Sequence, residues 1–315
     1  MPTAEVRTSP ETLLPVPSGG LVPVTFTIVG LASRLRLRLD NVERLVEELV
    51  QGEEAAAPVL HRLHRDLRRL RFEFQVWRNF LYHGARKDTR SLALRLRRLA
   101  QLVGEVRDFD VGLELIEGAA SSPSSAETTA ILAGTRHRME DDAHLGRELL
   151  RAYIRTERDS GLFASTRTSL GARTRSTNQR EFRRRLHRIQ RRHYRALRDA
   201  GRETRETPSA TRLHRLRSRL RRMRYFVEMV SQLEGHPPAR LARPLRRLEG
   251  HLGDHNDLTQ LLQHVDRQGP EIRDAPWVKQ LRKKRRQTYR SLVHELDRRR
   301  VRAAMKQLKT ELRTP

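Results

Sequence analysis

The stretch LHRLHRDLRRLRFEF at residues 60–74 returns 153 positions later as LHRLRSRLRRMRYFV at residues 213–227. A chain that carries one amphipathic segment twice is built from two similar halves, and no other feature restricts its fold as much. Each helical residue advances by about 100°, so His61, His64, Arg68 and Arg71 fall within roughly 80° of one another. Leu63, Leu67, Leu70 and Phe74 gather on the opposite side. In the second copy His214, Arg217, Arg221 and Arg224 hold the cationic face, and Leu216, Leu220, Met223 and Val227 the apolar one.

A second duplicated element follows each copy. RRLAQLVGEVRDFD at residues 97–110 matches RRLEGHLGDHNDLT at residues 246–259, aligning Gly104 with Gly253 and Asp108 with Asp257. The offset here is 149, which puts a short length difference in the connection between the two elements, where loops absorb it.

The 315 residues allow one large domain or two of about 150. Hydrophobic content of 37%, only 5% aromatics and recurrent three-and-four spacing predict an all-α protein. Leucines alternate with arginines from Leu35 to Leu39 as a strand would, but the longer stripe Leu35, Leu39, Val42, Val46, Leu49 sets a helix.

Residues 1–24, rich in Pro, Ser and Gly, read as a mobile tail. The expected third helix, marked by Leu92, Leu96, Leu99 and Val103, ends at Gly104, with Asp108 capping the next one. Residues 118–125 read as a loop, Ala126 to Arg158 as a long helix, and the Gly, Ser and Thr-rich stretch from Ser160 to Thr177 as the connection between halves. The halves are then residues 25–172 and 173–315. In the second, residues 179–198 form an arginine-striped helix and Pro208 or Ser209 starts the cationic one. Pro237 and Pro238 start the next, Gly253 and Asp257 turn the chain into a short helix toward Gln268, and Pro276 opens a last long helix.

The formal charge is +27, and only six of the 65 basic residues are lysine. Arginine's planar donor fork matches phosphate oxygens, so a polyanionic partner is expected. Along residues 179–198, Arg180, Arg184, Arg188, Arg191, Arg195 and Arg198 share one stripe opposite Phe182, Leu186, Ile189 and Leu197. Such a stripe serves either as a solubilising surface or as an anion contact that relieves its own repulsion.

There is no cysteine, which excludes disulfides and thiolate chemistry. No run reaches the roughly 18 apolar residues of a membrane span, and residues 21–30, interrupted by Pro23, do not make a secretory signal. No nucleotide-binding glycine loop and no nucleophile motif appears, so neither enzymatic activity nor a cofactor is expected. His251 and His255 have metal-ligand spacing without a companion carboxylate pair, and no metal site is expected. Asp108, Asp254 and Asp257 read as capping or salt-bridging groups, and Trp77 and Trp277 as core.

HRLRSRLRRMR from His214 to Arg224 and LGDHND from Leu252 to Asp257, each with a counterpart in the first half, resemble the CHAD (conserved histidine alpha-helical domain) family over roughly residues 26–312. The first copy departs in having His64 where an arginine usually stands. The glutamates and lysines of the CYTH triphosphatases, sometimes fused to CHAD domains, are missing. The resemblance implies two tandem four-helix-bundle-like halves with pseudo-twofold symmetry around a basic cavity, and binding of inorganic polyphosphate by a bacterial cytoplasmic protein, as an adaptor on polyphosphate granules.

On this reading the polyphosphate-binding residues are His61, His64, Arg68, Arg69 and Arg71, then Arg184, Arg188 and Arg191, then His214, Arg217, Arg221, Arg222 and Arg224. For His61 and His214 a purely structural role between helices is the alternative. If bound polyphosphate holds them protonated, affinity weakens as pH rises through about 6 to 8. The competing function is binding of other polyanions, DNA or RNA, through their backbones. Low aromatic content argues against single-strand stacking, and no helix-turn-helix or RNA-recognition signature is present.

Overall fold

A computed structural model of the chain describes residues 26–52, 57–120, 126–172, 178–207, 209–235 and 242–297. The expected tail, Pro208, the Pro237–Pro238 start and the chain after residue 297 lie outside these. The described residues form ten helices and no β-strand. They are α1 (Ile28–Gln51), α2 (Ala57–Arg78), α3 (His83–Ala120), α4 (Ala126–Asp159), α5 (Leu162–Ser169), α6 (Gln179–Glu206), α7 (Ala210–Leu233), α8 (Ala242–Asp266), α9 (Pro270–Arg273) and α10 (Pro276–Asp297).

Capping side chains set several starts. Thr27 Oγ1 accepts from Gly30 N at 3.1 Å, Asn178 Oδ1 from Glu181 N at 2.7 Å, and Ser209 Oγ from Arg212 N at 3.2 Å. In α1, Leu35 and Leu39 are wholly buried while Leu37 is 69% exposed, so the helical period prevails over the local alternation.

The largest core joins α1, α2 and α3 through Leu35, Leu39, Leu63, Leu67, Phe74, Trp77 and Leu99. Phe182 of α6 also enters it, its ring 4.9 Å from Phe80 and 5.6 Å from Phe26. Side chains of this size each contribute roughly 1.5–3 kcal/mol on burial. A second core lies among α6, α7, α8 and α10, and a third joins Ile116 and Met139 to Leu261, Val265 and Trp277. Both tryptophans are thus core.

Successive helices pack side by side, α1 on α2, α2 on α3 and α3 on α4, then α6 on α7, α7 on α8 and α8 on α10. Among the contacts that tie the halves together, α2 packs on α7 and α3 on α8. Each unites two elements that match in the sequence repeat.

Four expectations are corrected. Gly104 ends no helix, because α3 runs unbroken through it, and Gly253 likewise lies within α8. Asp108 and Asp257 therefore sit in mid-helix and cap nothing. α3 also extends to Ala120, into the expected loop, whose residues 121–125 are outside the description. The expected connection at 160–177 contains α5, anchored by buried Leu162, Phe163 and Leu170. Gly161 at φ 70° makes the turn into it, a conformation open to glycine.

Candidate polyanion site

Where α2, α3, α7 and α8 meet, four arginines gather. Arg68 of α2 feels Arg221 and Arg217 of α7 and Arg107 of α3. Burial first and these like charges second pull its guanidinium down to about 9, far below arginine's ordinary range. Arg217 is lowered for the same reasons, with Asp257 3.8 Å away as partial compensation. Asp108, aligned with Asp257, is raised by burial and by Asp257 itself. The group is a half-buried concentration of positive charge with three acidic side chains beside it, Asp108, Asp257 and Glu249.

The paired histidines stand on matching positions. Arg107 Nε donates to His61 Nδ1 at 3.3 Å, and His214 Nδ1 lies 3.1 Å from Asn256 Oδ1. Arg107 and Asn256 are themselves aligned, each preceding the aligned aspartate. Both rings are exposed, so a ligand reaches them.

His64 departs from the expectation of ligand contact. It is only 3% exposed, its ring packs on Gly104, and burial followed by Arg68 and Arg107 pushes it down to about 2. Neither ring nitrogen makes a well-formed hydrogen bond, the Val103 carbonyl only approaching the ring. His64 is therefore a neutral packing group in place of the arginine found in the second copy.

The remaining expected residues divide. Arg221 Nε and Arg224 Nε both donate to Glu249, at 2.9 and 2.6 Å, and Arg224 Nη1 also reaches Glu228 at 2.8 Å. Arg69 pairs with Glu228 at 3.3 Å. Burial alone would raise the Glu249 carboxyl, but Arg224 and Arg221 hold it below the usual carboxylate range. Arg71 instead faces Arg97 and Arg222, and burial with these charges lowers it to about 10. Arg184, Arg188 and Arg191 are exposed along α6, and the structure does not bring them into the four-arginine group.

Sequence reasoning missed Arg97, Arg107, Arg219, Glu228, Glu249 and Asn256. The duplicated second element already contained Arg97, Arg107, Glu249 and Asn256, so the repeat was the available signal. Elsewhere, His255 is buried, with its ring 5.7 Å from Tyr289, while His251 is exposed. Among the described residues, no helix is long and apolar enough to cross a membrane.

The described residues form helices that carry a duplicated His/Arg face. The CHAD domain family model matches residues 33–266, and the chain belongs to that family. Its fold is similar to the crystal structure of the CHAD domain from the plant Ricinus communis, with a TM-score of 0.59 and 17% identity over 92% of this chain and 93% of that one. It is also similar to PptA from Streptomyces chartreusis, with a TM-score of 0.55 and 16% identity over 90% of this chain and 99% of the other. No curated protein matches the sequence significantly.

Proposed function

We propose that this chain binds inorganic polyphosphate on the cationic faces of α2 and α7, in a basic cavity between two pseudo-twofold-related helical halves. The observation that carries the proposal is the convergence of Arg68, Arg107, Arg217 and Arg221 on one half-buried group, where their mutual repulsion is only partly offset by acidic neighbours. A bound polyanion converts that repulsion into attraction. The α2–α7 and α3–α8 contacts, which join repeat-related elements, support the symmetric arrangement.

Polyphosphate carries about one negative charge per internal phosphate and offers no base edge to read, so charge and donor spacing are all that recognition needs. Each charge-assisted hydrogen bond contributes roughly 1.5–3 kcal/mol, and a few arginines therefore suffice for tight binding. The protein acts as a binder, an adaptor on polyphosphate granules in the cytoplasm, without catalysis.

Competition tests the proposal against the nucleic-acid alternative. With labelled long-chain polyphosphate and a labelled DNA duplex at the same physiological salt, unlabelled polyphosphate displaces DNA far better than DNA displaces polyphosphate. Equal or reversed displacement contradicts it. Release of phosphate or a change in polyphosphate chain length contradicts the absence of catalysis.

A further inference from the structure

The sequence repeat aligns Arg69 with Arg222 and Arg71 with Arg224, so two repulsive pairings across α2 and α7 are counterparts: Arg69 with Arg224, and Arg71 with Arg222. Their surroundings differ in sign. Around Arg69 and Arg224 lie two buried or nearly buried carboxylates. Glu249 accepts from Arg221 and Arg224, and Glu228 pairs with Arg69 at 3.3 Å, Arg224 at 2.8 Å and Arg246 at 3.3 Å. Each of these four arginines has a carboxylate partner within the protein, the two glutamates being shared among them.

Around Arg71 and Arg222 the neighbours are Arg97, Arg219 and His193, and among the described residues neither Arg71 nor Arg222 has an ion pair with a carboxylate. His193 is fixed there by ring contacts with Phe72 at 5.5 Å and Phe226 at 6.0 Å. The sequence explains the difference. Glu228 aligns with Gln75 and Glu249 with Ala100, while Asp66 of the first copy aligns with Arg219. Three substitutions between the copies thus remove acid from one side and add a base. Burial and the like charges lower Arg222, as they do Arg71, while Arg224 is raised by its two glutamates against the opposing effect of burial.

We propose that the polyanion is held unequally, with Arg71, Arg97, Arg219 and Arg222 forming a phosphate-binding cluster while Glu228 and Glu249 close the counterpart arginines, Arg69 and Arg224, as internal struts. The assignment rests on the polyphosphate reading and gives it a direction: the ligand is anchored from the α6-facing side of the α2–α7 contact. Glu228 and Glu249 act as built-in competitors that keep a second, equivalent anchor from forming.

The test compares affinity for labelled long-chain polyphosphate between Arg71→Ala with Arg222→Ala and Arg69→Ala with Arg224→Ala. The first pair loses at least about tenfold, as expected for two charge-assisted contacts, and severalfold more than the second. Because the second pair removes two of the four arginines that hold Glu228 and Glu249 and can unfold the protein, Gln75→Glu is measured as well. This exposed position, whose side-chain oxygen accepts from Arg78 Nη1 at 3.3 Å, lies four residues after Arg71, the spacing of Arg224 and Glu228, so the new carboxylate is shared between Arg78 and Arg71 and weakens binding severalfold. Equal losses from the two pairs, or a Gln75→Glu protein that binds like wild type, overturn the inference while the polyphosphate reading stands. Wild-type protein that does not bind polyphosphate overturns both.

Discussion

The His64 imidazole packs on Gly104 so closely that a β-carbon added there would meet its Cε1 at 2.8 Å. The matching pair in the second copy is Arg217 and Gly253, where the β-carbon would meet Arg217 Nη2 at 3.4 Å. The glycines are in mid-helix because the helices approach closely there: α3 must admit a ring from α2, and α8 a guanidinium from α7.

Alanine at the two glycines therefore gives opposite results. Gly104→Ala drives a methyl into a buried ring and destabilises the protein by about 1–3 kcal/mol. Gly253→Ala meets the flexible end of an arginine and gains up to about 1 kcal/mol of helix propensity, leaving stability unchanged or raised. Urea unfolding of both variants reads the difference, and equal destabilisation would contradict the packing account.

Buried His64 makes stability depend on pH. Its folded-state value of about 2 lies below the usual 6.5, so the unfolded chain takes up a proton that the folded chain refuses. The contribution is complete above about pH 6.5 and is lost as pH falls toward 2, by up to about 1.4 kcal/mol per unit. Between pH 7 and pH 5 the loss of stability in His64→Gln is smaller than in wild type by about 2 kcal/mol. Identical losses would show that His64 is protonated in the folded protein.

Much of this was legible in the sequence. The repeat and the three-and-four spacing revealed the helices, their apolar faces and the starts at Ser209 and Pro276. The glycines were misread because a glycine near a helix end and a glycine under a neighbouring ring look alike in one dimension. His64 was read as a ligand contact for a similar reason: its place on the cationic face of α2 says nothing of α3, which covers it. The ion-pair struts were harder to read, because Glu228 lies off the cationic motif, Glu249 has alanine as its counterpart in the duplicated element, and both act only once α2, α7 and α8 are packed.

Glu73 is a further buried strut, 2% exposed and held by Arg34 at 2.9 Å and Arg38 at 3.1 Å. Burial would raise its carboxyl, but Arg38 and Arg34 outweigh this and keep it below the usual range. Glu73→Gln leaves two guanidinium groups short of a counter-charge and destabilises the fold by about 3–5 kcal/mol. A thermal midpoint equal to wild type would contradict this.

The exposed histidines respond to ligand differently. His61 Nδ1 accepts from Arg107, so protonating that nitrogen breaks a bond, whereas a protonated His214 keeps its bond to Asn256 Oδ1. His214→Gln therefore weakens polyphosphate binding more than His61→Gln does. Equal weakening by the two variants would contradict the assignment.

The most direct measurement is the affinity of labelled long-chain polyphosphate at physiological salt for wild type and for Arg68→Ala, Arg71→Ala, Arg217→Ala and Arg222→Ala combined, with helicity checked by circular dichroism. The account predicts tight binding by wild type and its loss in a variant that remains helical. Tight binding retained by the folded variant would move the ligand to the exposed α6 arginines, and wild-type protein that fails to bind would contradict the polyphosphate reading itself.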